Sequence, residues 1–375
     1  MTAERKLHIV CFDVPYPADY GGVMDVFHRI KTLKEAGIGI ILHCFSYRRP
    51  KQNCLQELCD AVYYYERQTG WKGFSFPQPY IVSSRKNDLL LDTILKDDHP
   101  VLLEGVHCTS FIDKLSEKGR KVVLRSQNVE TEYYRHLYKW ESNLFKKCYY
   151  RFESYLLAQY EARLPDALPV LCICEKDASV YRQRFNKKNV FVLPAFVPYS
   201  GITSKEGMGN FCLYHGNLSV AENEKAALWL LKKVFTSIKV PFVIAGKNPS
   251  RRLRQMAHLC QHTCLVADPD EKEMNDLIEK AHIHVLPSFN NTGVKLKLLT
   301  ALAAGKHCIV NAAAVDGSGL EPLCHVATTS HAFVSVVAQL YHQPFTAEEI
   351  RLRTEVMGKN FNNRENARKL IQHLW

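Results

Sequence analysis

Two stretches of the chain combine residue types that could grip a phosphorylated ligand. The first is PYPADYGG, in which Gly21 and Gly22 stand between a short apolar run and a helical pattern. Adjacent glycines remove side chains at a helix start, so backbone N–H groups can approach an anion that the helix dipole also favours. The turn is not GxGxxG, and GGVMDV offers no third glycine for close helix–strand packing, which counts against a dinucleotide site. A tight strand–helix turn without a ligand is the alternative. The second stretch is SFNNTGVKLKLLTALAAGK: a polar loop, Gly293, then a helix carrying Lys295 and Lys297 near its start. Lysines there oppose the macrodipole by roughly a few tenths of a kcal/mol unless an anion sits among them. A diphosphate would be such an anion, held by the N–H groups of Gly293, Val294 and Lys295 while Lys295 or Lys297 neutralises a leaving group. Both lysines facing solvent is the alternative.

These stretches need elements to position them. KLHIVCF, the turn at Gly21 and Gly22, and VMDVFHRIKTLKEAG read as strand, loop and helix, and GIGIILHCFS as a second strand, an opening βαβ unit. Strand patterns AVYYYE, VLLEGV, KVVLRS and PVLCICE follow with helices between them, including one long helical stretch from Thr131 to Arg163. VFVLPAFVPYSGITSKEGMGN lacks helical period and reads as an interdomain linker. The alternation then restarts with strands FCLYHG, PFVIAG, CLVAD, HIHVLPS and HCIVN. The expected fold is α/β, two Rossmann-like doubly wound domains facing across a cleft, with NRENARKLIQHLW packing back on the domains. The expected boundaries are 1–195, a linker at 196–209, a second domain at 210–358 and a C-terminal crossover helix at 359–375.

A length of 375 residues agrees with two domains, and the hydrophobic 46% and charged 23% are ordinary for a globular chain. The opening MTAERKLHIVCF is too short for a signal peptide or spanning helix, so a cytoplasmic protein is expected. Thirteen cysteines are scattered, many in apolar runs, and read as reduced core residues; neither Cys172 with Cys174 nor Cys260 with Cys264 has a second half for a zinc site. The net charge of +11 is spread without an RNA-binding or zinc-finger signature, so no nucleic-acid partner is expected. In KWESNLFKKCYYRFE, Lys146, Lys147 and Arg151 beside Phe145, Tyr149 and Tyr150 admit a peripheral membrane contact. The spacing favours a solvated face with its aromatics turned to the core.

Taken in order, LYHGNLSVAENEKAALWLL, FVIAGKNP, HIHVLPSFNNTGVKLKLLTALAAGK and IVNAAAVDG resemble the donor-binding domain of glycosyltransferase family four. RSQNVETEYYRHL, YLLAQYEARL and CICEKDASVYRQRF resemble its acceptor-side domain. The resemblance covers nearly the whole chain. It implies the GT-B fold, a nucleotide-diphosphate sugar as co-substrate, no cofactor and no metal, and retention at the anomeric carbon. It implies a glycan or lipid-linked sugar as acceptor. Sugar-donor contacts are expected from Gly21, Gly22, Gly216, Asn217, Lys247, Ala267, Thr292, Gly293, Val294 and Thr300, with the diphosphate lying between the Gly21–Gly22 loop and the helix near Gly293. Gln127, Lys295, Lys297 and Glu104 are expected at the reacting centre, Glu104 pointing into the cleft to hold hydroxyls.

The chain also departs from the family. Thr292 and Thr300 replace two glutamates eight positions apart, and a threonine cannot make the charge-assisted bond to ribose that a carboxylate makes. Gln127 replaces a histidine and cannot transfer a proton. Asn217 and Asn223 replace Arg and Lys, which throws phosphate charge onto Lys295 and Lys297. The expected activity is hexosyl transfer, and the alternative a weak or inactive nucleotide-sugar-binding module partnering another transferase. His282 and His284 read as satisfied core residues, and Glu175 and Asp177 as helix caps.

Overall fold

The structure, a computed structural model, describes residues 5–47, 49–141 and 143–375. It divides into two compact units, Met1–Phe196 with Asn362–Trp375, and Val197–Phe361.

Unit 1 opens with β1 (Lys6–Cys11), α1 (Gly21–Glu35), β2 (Gly39–Ser46), α2 (Cys54–Leu58) and β3 (Ala61–Glu66). It continues with α3 (Tyr80–Ser83), α4 (Asp88–Ile94), β4 (Val101–Glu104), α5 (Ile112–Glu117) and β5 (Val122–Ser126). The helices α6 (Glu130–Trp140) and α7 (Leu144–Arg163) precede β6 (Val170–Cys172), α8 (Glu175–Gln183) and β7 (Val190–Val192). All the strand pairs are parallel, in the order β3-β2-β1-β4-β5-β6-β7. Side chains alternate across each strand, so Leu7, Ile9 and Cys11 of β1 join Leu102, Val123 and Leu171 in one apolar layer, and Val10 joins Leu103, Leu124 and Val170 in the other.

Unit 2 contains β8 (Cys212–His215), α9 (Ala221–Lys233), β9 (Phe242–Gly246), α10 (Arg251–His258) and β10 (Thr263–Ala267). After them come α11 (Glu271–Lys280), β11 (Ile283–Val285), α12 (Leu296–Ala304), β12 (His307–Val310) and α13 (Ala312–Val315). The unit closes with β13 (His325–Val326), α14 (Ser330–Leu340) and α15 (Ala347–Asn360). Its sheet is parallel in the order β10-β9-β8-β11-β12-β13. The last helix, α16 (Asn363–Leu374), returns to unit 1, where Ala367, Leu370 and Leu374 enter the layer that holds Leu7 and Ile9.

Three sequence expectations change. The helical stretch from Thr131 to Arg163 is two helices, since Glu141 turns extended and Asn143 caps α7 by accepting a bond from the Lys146 N–H. VFV, read as the start of the linker, is the edge strand β7 paired with β6, and a short edge strand, β13, was not foreseen at all. The first half of α7 and its middle also turn apolar side chains outward: Leu144 is 75% exposed, Phe145 89% and Tyr155 60%, while Glu153 is buried and accepts the Ile81 N–H at 3.0 Å. Among the described residues no helix is long and apolar enough to cross a membrane, and all thirteen cysteines are free.

Candidate active site

In each sheet the strand order reverses beside the first strand, between β1 and β4 in unit 1 and between β8 and β11 in unit 2. Open parallel sheets bind ligands outside the carboxyl ends of the strands at such a reversal. In both units a helix follows one of those strands with a bare tip: α1 after β1, N-capped by Tyr20, and α12 after β11, N-capped by Lys295, neither with a side-chain cap bond. A tip without a side-chain cap leaves its first N–H groups to water or a ligand.

In unit 2, Gly216 and Asn217 follow β8, Lys247 follows β9, Ala267 ends β10, and Thr292, Gly293, Val294 and Lys295 lead into α12. The ends of β8 and β9 touch: a Cβ on Gly246 would lie 1.8 Å from the Gly216 carbonyl oxygen, so no larger residue fits. The Lys247 carbonyl accepts the Leu218 N–H at 2.9 Å, and the Lys247 side chain is exposed. Asn217 accepts bonds from the N–H and hydroxyl of Ser219, and its carbonyl accepts Asn223 Nδ2 at 2.9 Å.

Neither lysine points plainly to solvent. Lys295 Nζ donates to the Thr292 carbonyl at 2.6 Å. Lys297 Nζ donates to Asn223 Oδ1 at 2.9 Å and Tyr214 Oη at 3.1 Å, and lies 4.8 Å from the centre of the Tyr214 ring. Desolvation pulls the Lys297 ammonium down to about 8, against the attraction of Glu222. Glu222 accepts the Ser288 hydroxyl at 3.0 Å. Thus Lys297, Asn217 and Tyr214 come together through Asn223, and Tyr214 is a member that sequence reasoning missed. Thr292 is buried with its hydroxyl on Asn290 Oδ1 at 2.8 Å, and Thr300 returns its hydroxyl to the Leu296 carbonyl at 3.2 Å. The discounted histidines are core residues: His282 accepts the Gly209 N–H at 3.0 Å, and His284 Nε2 lies 3.2 Å from the Ile278 carbonyl oxygen.

In unit 1, Gln127 Nε2 donates to the Gly22 carbonyl at 3.2 Å, and a Cβ on Gly22 would meet Gln127 Oε1 at 2.8 Å and Phe12 at 3.0 Å. Gly22 is therefore small partly to admit Gln127. Glu104 does not face an opening. It is fully buried, 2.5 Å from Arg29, in a network in which Arg29 also pairs with Asp25 at 2.9 Å and Arg125 lies 3.5 Å from Asp25. Desolvation lifts the Glu104 carboxyl to about 7 although Arg29 opposes it, whereas for Asp25 the two guanidinium groups outweigh burial and hold its carboxyl low. The reading of Glu104 as a hydroxyl-binding residue is thus corrected: α1 covers it, and its partner is a guanidinium. Glu175 pairs with Arg182 at 2.5 Å, and Asp177 is buried in the first turn of α8.

The same strand ends hold two groups that sequence reasoning missed. His107, just beyond β4, stacks on Phe12 at 4.9 Å, and its buried Nδ1 has no hydrogen-bond partner. Burial and the charges of Arg85 and Arg67 hold its ring neutral. Glu130 opens α6, whose tip is capped from α7 by Glu161, which accepts the N–H groups of Glu130 and Thr131 at 3.1 and 3.0 Å. Desolvation and the neighbouring Glu161 push the Glu130 carboxyl up to about 8. The signal for both was their place three and four residues past a strand, in EGVHC and RSQNVE.

Residues 209–343 match the family profile described as Glycosyl transferases group 1. That segment, about a third of the chain, is similar to the group 1 glycosyltransferases. The chain is 25% identical over 335 residues to an uncharacterized 44.6 kDa protein in the cps region of Klebsiella pneumoniae, covering 84% of each chain. Its fold is similar to that of HepE from Anabaena, solved with UDP and glucose, at a TM-score of 0.68 and 10% identity over 99% of each chain. It is also similar to WaaG, a glycosyltransferase involved in lipopolysaccharide biosynthesis, at a TM-score of 0.67 and 10% identity over 98% of this chain and 99% of that one. These likenesses establish the GT-B fold, which the chain carries as sheets of seven and six strands.

Proposed function

We propose that this chain is a glycosyltransferase that moves a hexose from a nucleotide-diphosphate sugar to a hydroxyl of a growing glycan or lipid-linked sugar, with retention and without a metal. The observation that carries the reading is the half-desolvated Lys297 ammonium below the uncapped tip of α12, beside the strand reversal of unit 2. An ammonium held short of full solvation gains most when an anion arrives, and the N–H groups of the tip add to it. As the glycosidic bond breaks, charge accumulates on the leaving phosphate, so Lys297, Lys295 and those amides lower the barrier where charge develops. They supply the neutralisation that a divalent ion would otherwise bring. The leaving phosphate takes the proton of the incoming hydroxyl on the same face, so Gln127 need not act as a base. In unit 1, Gln127, the neutral ring of His107 and the protonated Glu130 offer hydrogen bonds to sugar hydroxyls. HepE, with its bound UDP and glucose, and WaaG, with its role in lipopolysaccharide biosynthesis, support a nucleotide-sugar donor and a glycan acceptor.

The acceptor side favours a lipid-linked substrate. Leu144, Phe145, Phe152 and Tyr155 are exposed on α7 beside Lys146 and Arg151, a composition that suits the interface of an anionic bilayer. Incubation with a panel of nucleotide sugars and an acceptor extract tests the whole reading: free nucleoside diphosphate is released by the native chain and lost in Lys295→Ala/Lys297→Ala. Undiminished release in the double variant removes the phosphate assignment.

A further inference from the structure

At the opposite edge of the unit 2 sheet, three metal-ligating groups converge that the transfer reaction does not use. His307 is the first residue of β12 and His325 the first of β13, whose register pairs His325 with Ile309. Alternation along β12 puts His307 and Ile309 on one face, so both imidazoles stand on the same side of the sheet, with ring centres 5.8 Å apart. Glu349, in the first turn of α15, reaches them from above; its Oε1 lies 3.2 Å from His307 Nδ1, and ligand atoms of all three residues lie within 4.8 Å of one another.

The hydrogen bonding leaves this cluster one cation short. His307 Nε2 faces the Gln343 carbonyl at 3.1 Å, and a carbonyl only accepts, so the proton of the neutral ring is on Nε2. Nδ1 then holds a lone pair aimed at a carboxylate oxygen, and it is a buried nitrogen without a hydrogen-bond partner on a ring 3% exposed. Two acceptors facing each other need a positive centre between them. A proton would satisfy that pair alone, whereas the second imidazole adds a third ligand.

We propose that His307 Nδ1, His325 and Glu349 bind a divalent transition metal, zinc foremost, with an open fourth position for water. Tetrahedral zinc with bonds of about 2.0–2.1 Å holds its ligands about 3.3 Å apart, close to the His307–Glu349 separation; half-buried His325 closes the remaining gap by side-chain rotation. The bond from Nε2 to the Gln343 carbonyl is the outer-shell contact that orients a metal-binding imidazole. Glu349 can serve twice: its Oε2 accepts the Thr346 N–H at 2.9 Å and hydroxyl at 3.0 Å in a capping box, leaving Oε1 for the ion. The nearby Arg353 guanidinium is engaged by the carbonyls of Leu302 and Gly305 and by the Phe345 ring. The site lies at the end of α12 away from Lys295, so its role is to tie α15 to β12 and to the edge strand β13.

The test uses the full chain, stripped with chelator, given one equivalent of zinc chloride and dialysed against metal-free buffer. The native protein should retain about one zinc per chain by elemental analysis and melt at a higher temperature than the stripped form. His325→Ala and Glu349→Gln should each weaken zinc at least about 100-fold. Glu349→Gln keeps the capping box, which separates loss of metal from loss of fold, and both variants should still release nucleoside diphosphate. Cys148→Ser/Cys264→Ser removes the exposed thiols and should retain the zinc. Native protein that holds no zinc, or a His325→Ala variant that binds it as tightly, would overturn the proposal.

Discussion

Lys297→Met offers a sharp examination of how the diphosphate is held. In the unliganded chain, desolvation brings the Lys297 ammonium from 10.5 to about 8, a difference equivalent to about 3 kcal/mol between its two protonation states. A bound diphosphate restores the preference for charge, so the ligand must bring a proton whenever the solution lies above pH 8. Affinity for nucleoside diphosphate should therefore be flat below pH 8 and fall by up to about tenfold per pH unit above it, with a ceiling of about 300-fold near pH 10.5. The stability linkage has the opposite slope. With the folded value depressed, the unfolded chain binds more protons between pH 8 and 10.5, so the unliganded protein gains stability as pH rises through that window. Methionine removes the ammonium and abolishes both slopes; it leaves Asn223 Oδ1 without its donor, a cost of about 1–3 kcal/mol that offsets the relief of desolvation. Calorimetric titration with UDP at pH 7.0 and 9.5, alongside thermal melts, measures all of this. A native affinity that does not change between those pH values, or a methionine variant that binds equally well, would refute the argument.

Three further outcomes follow from the geometry. Glu104→Gln should cost about 1–3 kcal/mol in denaturant unfolding near pH 8, because it weakens the carboxylate contact to buried Arg29; a variant of native stability with slowed turnover would return Glu104 to the reacting centre. Gly22→Ala places a methyl 2.8 Å from Gln127 Oε1, and since the flexible amide can swing aside, the expected loss is about 1 kcal/mol together with the Gln127–Gly22 bond, checked by urea melts and an amide NMR shift at Gln127. Thr300→Glu replaces a hydroxyl spent on the Leu296 carbonyl with a carboxylate able to reach a ribose, and should tighten nucleotide binding by about 1–2 kcal/mol in calorimetry; unchanged affinity moves the ribose elsewhere.

Much of the architecture was legible because two-sided parallel strands and their helices imprint alternating periods, which appear twice along the chain. The short strands β7 and β13 were not, since two or three residues hold too little pattern to separate an edge strand from a loop. Continuous helical spacing hid the break between α6 and α7, where the stop rests on the Asn143 cap. On α7 the apolar residues fall all round the helix, so spacing alone could not choose which to bury, and it chose wrongly for Phe145. At the site, the glycine and lysine positions could be read from local sequence. Their chemistry could not: Lys297 owes its depressed ammonium to surroundings that include Tyr214, 83 residues away, and the burial of Glu104 is set by Arg29 on a different element.

The return of α16 to unit 1 makes the chain's order of synthesis differ from its order of completion. Strands β1 to β7 emerge first, yet the layer around Leu7 and Ile9 stays open until Leu370 and Leu374 arrive, with residues 197–361 made in between. On the ribosome unit 2 can thus close its own core while unit 1 still shows an apolar strip to the cytosol or to chaperones. Loss of the last dozen residues would injure the unit built first, far from the lesion in sequence.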